Sequence, residues 1–304
     1  MAETGNTRIR VGMGLGLATS SNPDRFAALV DGLEALGFDS LWLSERIGKD
    51  SPDPIAALAY AAARTNRLKV GTSVLVLPGR SPMQVAKQLA TVDRLSGGRL
   101  LPAVGLGVTA PSDQAAFGVK RGDRGGYFDE MLPLIRRLWT EDKVDHNGRH
   151  FHYEGVSVRP FPMQQPLEVW LGGTARSELE RCGRLGDGWL PSFATPDDVA
   201  RGRAEIEKVA DKHDRMIEPG HFGALVPYAP DGPIPDAMAD LVQRRRPGTD
   251  VNDVVAEGFK KLGPLLERFV EAGASKFVVV PVTEPVNWDD HVAELADAVH
   301  PLEN

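Results

Sequence analysis

At 304 residues, 42% hydrophobic and 25% charged, the chain is long for one domain but within the range of a single α/β barrel. A formal net charge of −7 argues against nucleic acid or an anionic membrane as partner, because phosphate binding calls for a basic footprint. The one cysteine, Cys182, excludes an internal disulfide and zinc-ribbon spacing, and no apolar run approaches the roughly 20 residues of a membrane span.

The N-terminus, "MAETGNTRIR", lacks the apolar core of a signal peptide, so the expected setting is the cytoplasm. "RIRVGMGLGLA", Arg8 to Ala18, is the first predicted strand. A helix follows with Asn22 as N-cap, Pro23 at the first helical position and Gly37 closing it. "FDSLWLS" is the second strand, and its helix opens at Asp53-Pro54. The third, "KVGTSVLVLP", carries Gly71, Thr72 and Ser73 inside an apolar run, where glycine marks a bulge or the close approach of a ligand. Ser81-Pro82 opens the next helix, and "RLLPAVGLG" is the fourth strand.

Then the rhythm breaks. A polar loop and a helix around 126–140 lead to "VDHNGRHFHYEGVSV", read as a hairpin turning at Asn147-Gly148. Strands five to eight follow at "LEVWLGG", "DGWLPS", "HFGALVPY" and "SKFVVVPV", with a second interruption from Ala229 to about Glu257 and a last helix capped by Asn287. Eight strand-then-helix units without a composition break spell a (β/α)8 TIM barrel, one domain over residues 1–304, with insertions after the fourth and seventh strands. An open doubly wound sheet is the alternative.

Strand C-termini and the loops beyond them build the active site of such a barrel. "LGGTARSE" ends a strand at Gly172-Gly173 and opens a helix at Thr174; free N–H groups there form an anion site, to which Arg176 adds charge. Plain N-capping by Thr174 explains the same residues. "GMGLGLATS" lacks the G-x-G-x-x-G order of a dinucleotide site, and its helix starts too late. Glu45 and Arg46 are adjacent at the end of the second strand, where alternation lets only one face the site. The bland reading of that pair is a rim ion pair.

None of the seven histidines falls at a strand C-terminus. His150 and His152 share a strand face without a clear further ligand, so no metal is expected. Cys182 sits mid-helix as a buried side chain, and neither a G-x-S-x-G elbow nor H-E-x-x-H occurs. "QRRRPG", Gln243 to Gly248, reads as a solvated charged surface. A mouth with an anion site, glycine-rich backbone and little acid/base equipment suits a cofactor that carries the chemistry itself.

"FDSLWLSER", "TNRLKVGTSVLVLPGRSPMQVAKQLATVDRLSGGRLLPAVGLG" and "LEVWLGGTARSELERCGRLGDGWLPS" resemble the luciferase-like monooxygenase family, and within it the deazaflavin (coenzyme F-420)-dependent oxidoreductase branch. The resemblance implies a barrel holding a deazaflavin at its C-terminal face, with a bulge and a cis peptide at Ser73-Val74 behind the ring. It implies that Thr72, Ser73 and Val74 wall the ring, that Glu45 approaches it, and that the coenzyme phosphate sits at Gly172, Gly173 and Thr174. Gly105, Gly107, Val108 and Ser192 match loops that line the cofactor. Sugar-phosphate dehydrogenases of the branch carry Asp-His where this chain has Glu45-Arg46, and a glutamate where it has Val108, so their substrate is not transferred. The expected activity is hydride transfer between a small organic substrate and the deazaflavin, with Glu45 and Arg46 as polar groups at the ring. The alternatives are an FMN-dependent monooxygenase served by a separate flavin reductase, and a non-catalytic cofactor-binding relative. A homodimer is typical of the family.

Overall fold

The computed structural model describes residues 7–15, 22–108 and 110–303. The stretch 16–21, at the end of the first predicted strand and just beyond it, and Thr109, after the fourth, lie outside them. The first half contains β1 (Arg10–Gly14), α1 (Pro23–Ala35), β2 (Ser40–Leu43), α2 (Pro54–Arg64), β3 (Lys69–Thr72), β4 (Leu75–Val76), α3 (Pro82–Leu95), β5 (Leu100–Leu101) and β6 (Ala103–Gly105). The first insertion supplies α4 (Pro111–Phe117), ahead of α5 (Arg124–Leu138) and the hairpin β7 (Val144–Asn147) and β8 (His152–Val156). Then come β9 (Trp170–Leu171), α6 (Arg176–Leu185), β10 (Gly188–Trp189), α7 (Pro196–Asp211) and β11 (Gly223–Ala229). The second insertion holds α8 (Asp236–Arg245) and β12 (Ala256–Glu257), and the chain ends with α9 (Phe259–Glu271), β13 (Lys276–Pro281) and α10 (Trp288–Val299).

The helices start where local chemistry says they should. Asn22, Asp53 and Ser81 each accept a bond from the backbone N–H three residues on, with proline at the first helical position, and Asn287 caps α10. Gly37 ends α1 at a φ of +81°, a conformation open to a residue without Cβ.

Parallel pairing runs β13–β1–β2–β3 and, through the second halves of the split third and fourth strands, β4–β6–β9–β10. β3 also pairs with β5, and β11 pairs with β13. Parallel bridges from Trp189 to Phe222 and from Ser192 to Leu225 join β10 to β11 and close the ring. The result is a (β/α)8 barrel. β12 adds parallel to β11 outside it.

The splits have a local cause. Pro102 has no N–H for the ladder, and beside it the buried Thr72 hydroxyl donates to the Ala103 carbonyl at 2.6 Å and accepts from the Ala103 N–H at 3.0 Å. Inside the barrel, the buried indoles of Trp42 and Trp170 meet edge-on, 6.4 Å between centroids. Gly71 serves that plug: a β-carbon there would stand 2.6 Å from the Trp42 ring. This corrects its reading as a place for a ligand. Among the described residues no helix is long and apolar enough to cross a membrane.

The hairpin turn also differs from expectation. Asn147 pairs with His152, leaving four residues, 148–151, in the loop. The Glu130 carboxylate of α5 sets that length by accepting from the N–H groups of His150 and Phe151 and from the His146 ring. His150 stacks on Tyr127 at 3.9 Å. No cluster of three His, Cys, Asp or Glu side chains suited to a metal occurs among the described residues.

Candidate active site

A cleft opens at the strand C-terminal ends, with Val74, Leu171, Leu190 and Leu225 as its apolar part and Glu45, Arg46, Arg181 and Arg245 among its polar groups. Val74 stands at the centre of the wall. A β-carbon on Gly105 would lie 2.8 Å from Val74 Cγ2, and one on Gly172 would lie 3.4 Å from Val74 Cγ1. Gly107, at φ +77°, leaves the matching space for Val76. These glycines let two valines fill the wall.

The Ser73–Val74 peptide is cis, at the position the resemblance implied. Ser44 and Glu45, just past β2, clamp this segment. The Ser44 hydroxyl donates to the Ser73 carbonyl at 2.6 Å, and the Glu45 N–H donates to the Val74 carbonyl at 3.3 Å. In return the Val76 N–H donates to the Glu45 carboxylate at 2.8 Å, whose other oxygen binds the Arg80 guanidinium. Burial pushes the Glu45 carboxyl above the ordinary range, against the pull of the Val76 N–H and of Arg80. Both Glu45 and Arg46 line the cleft, because they lie beyond the strand where alternation ends. The Arg46 Nε is buried without a hydrogen-bond partner among the described residues, and burial lowers the guanidinium pKa.

Ser73, Val74, Gly105, Gly107, Val108, Gly172, Gly173 and Ser192 also line the cleft. Arg124, buried behind it, holds the 106–108 loop by donating to the carbonyls of Leu106 and Val108. Three expected residues lie elsewhere. Thr72 is inside the strand junction described above. Arg176 projects into solvent, its side chain 87% exposed, and pairs with Glu180 one turn on. The N–H groups of Thr174 and Ala175 donate to the Glu178 carboxylate at 3.0 and 2.9 Å, so this helix start is capped from within the chain.

Sequence reasoning gave no role to Ser44, Glu178, Arg181 or Arg245, although Ser44 stands at the expected end of the second strand. Arg181 is a buried α6 residue whose Nε donates to Asp129 at 2.6 Å. "QRRRPG" is mostly exposed, as read from the sequence, but Arg245 within it also borders the cleft and lies 4.5 Å over the Phe193 ring. Glu178, four residues after Thr174, was the one with a sequence signal, since acidic residues favour first helical turns.

Residues 6–266 match the family described as luciferase-like monooxygenase. A provisionally named coenzyme F-420-dependent oxidoreductase of Mycobacterium tuberculosis is 30% identical over 207 residues, 62% of this chain and 56% of that one. An F-420-dependent glucose-6-phosphate dehydrogenase of Amycolatopsis mediterranei is 30% identical over 204 residues, 61% of each chain. The chain thus spans a little over half the length of these curated relatives. Among solved structures, an F-420-dependent secondary alcohol dehydrogenase with an F-420–acetone adduct superposes with a TM-score of 0.83. It covers 98% of this chain and 100% of that one at 19% identity, a likeness of fold.

Proposed function

We propose, since the chain belongs to the luciferase-like monooxygenase family, that it is an oxidoreductase passing a hydride between a small organic substrate and coenzyme F-420 held in this cleft. Relatives named for F-420 dependence support the choice of coenzyme. The observation that carries the reading is the Val74 wall, an apolar surface fitted against the backbone of Gly105 and Gly172 and bordered by polar groups. A flat, mostly apolar ring fits against such a wall. When bound, the deazaflavin supplies C5 as hydride acceptor or donor.

The coenzyme phosphate does not fit the N–H groups of Thr174 and Ala175 as they stand, because the Glu178 carboxylate holds both and repels an anion. The chain's own contributions lie around the ring. Ser44 and Glu45 hold the Ser73–Val76 backbone in place. Leu171, Leu190 and Leu225 keep water from the apolar part of the cleft. Glu45, its pKa raised by burial, is a carboxyl that lines the cleft beside the clamped Val74–Val76 backbone.

The test is turnover. Purified protein with oxidised F-420 is offered a panel of alcohols, and with reduced F-420 a panel of ketones and enones, while coenzyme fluorescence is followed. Turnover with at least one compound is expected. Coenzyme binding with no turnover across both panels would make the protein a binding relative.

A further inference from the structure

Three consecutive arginines at the end of α8 have different surroundings. Arg244 is exposed to solvent. Arg246 is tied to the barrel through an ion pair with Asp198 of α7. Arg245, also exposed, borders the cleft over Phe193, with no carboxylate in ion-pair range among the described residues. The support under it is built. Phe193 sits at φ +56°, a region bulky side chains rarely adopt, and packs with Met238, Val242, Val254 and Val255 in a small core that seats the insertion.

Arg46 borders the same cleft, likewise without an ion pair among the described residues. Asp113 of α4 acts on it from beyond ion-pair distance. The other basic lining group, Arg181, is paired with Asp129, and Arg80, outside the lining, is paired with Glu45. Two like charges facing one cleft oppose each other: Arg245 is lowered by its partial burial and then by Arg46. A guanidinium is a planar fork of donors that matches a carboxylate or phosphate.

We propose that Arg46 and Arg245 together form an anion receptor at the cleft, which selects a substrate carrying a carboxylate or phosphate monoester. The inference rests on the cleft being the reaction site, but the receptor itself needs no coenzyme. The same chemistry could be met by the coenzyme's own anionic tail, so the experiment separates the two sources.

Inorganic phosphate is titrated into the full-length protein by calorimetry, with and without saturating F-420, for the wild type and for Arg46→Gln, Arg245→Gln and Arg245→Lys. Wild type is expected to bind phosphate. Each glutamine variant should weaken it roughly ten- to a hundredfold, the scale of a hydrogen bond to a charged group. Arg245→Lys should lose less, since it keeps the charge without the fork. F-420 affinity should fall far less than phosphate affinity in every variant, and phosphate should still bind the F-420 complex. Phosphate competing with F-420, together with variants that lose coenzyme affinity, would assign the arginines to the coenzyme tail and overturn the substrate inference. Absence of phosphate binding to the wild type would overturn it without any variant, as would equal binding in folded glutamine variants. Phosphate binding at these arginines in a protein that refuses F-420 would leave the receptor standing and remove the coenzyme reading alone.

Discussion

The Glu45 carboxylate and the Val76 backbone N–H meet at 2.8 Å, so a loop after the second strand holds the third strand at the edge of the cleft. The Glu45 side chain is only 2% exposed, and its second oxygen faces Arg80. Glu45→Ala leaves a backbone donor and a guanidinium without their acceptor, and should cost roughly 1–3 kcal/mol of stability. Glu45→Gln keeps an acceptor toward Val76 and should cost less. Urea denaturation of both variants checks the order.

Thr72 lies beside the site without lining it. Thr72→Val keeps the shape but removes the hydroxyl that serves both the N–H and the carbonyl of Ala103. A loss of roughly 1–3 kcal/mol is expected, with coenzyme affinity unchanged in the protein that remains folded. Thermal unfolding and a fluorescence titration on the same sample separate these effects.

Glu178 holds the two N–H groups that an anion at this turn would need. Glu178→Gln keeps an acceptor for the start of α6 and removes a negative charge from the cleft. Affinity for F-420 should rise roughly five- to tenfold, the scale of a like-charge contact partly screened by solvent. A fall in affinity would mean that Glu178 itself positions the coenzyme.

His291 sets an acid limit on stability. Its Nε2 meets the Tyr228 hydroxyl at 2.5 Å, with Phe259 of α9 and Trp288 of its own helix packed around the ring. Burial lowers its pKa to about 4, against a weaker opposite influence from Asp231. The unfolded chain therefore binds the proton more readily. The histidine's contribution is present above about pH 6.5 and is lost as pH falls through about 4, a change of about 3 kcal/mol. The stability difference between wild type and His291→Gln, followed from pH 7 to 4 in urea, should narrow by that amount toward acid.

Some of this was legible in the residues alone and some was not, for definite reasons. The caps at Asn22, Asp53, Ser81 and Asn287 are local chemistry, decided within one helical turn. Eight repeats of that grammar were enough for the barrel. Gly71 was misread because its neighbour, Trp42, comes from the adjacent strand and fills the barrel rather than the site. Arg245 is exposed, as read, but its place at the cleft was not legible, because three arginines in a row look alike until Phe193 and Asp198 distinguish them. Thr174 and Arg176 matched an anion-site pattern that Glu178 already satisfies. The cis bond at Ser73-Val74 came from the family resemblance, since no spacing or propensity in the chain points to it.

The most direct test of the central reading is the choice of coenzyme by the wild-type protein. Titrated in parallel with F-420 and FMN while fluorescence is followed, it should bind F-420 at micromolar concentration or tighter and FMN far more weakly. Binding of FMN with none of F-420 would contradict the account and make the protein a flavin-dependent member of the family.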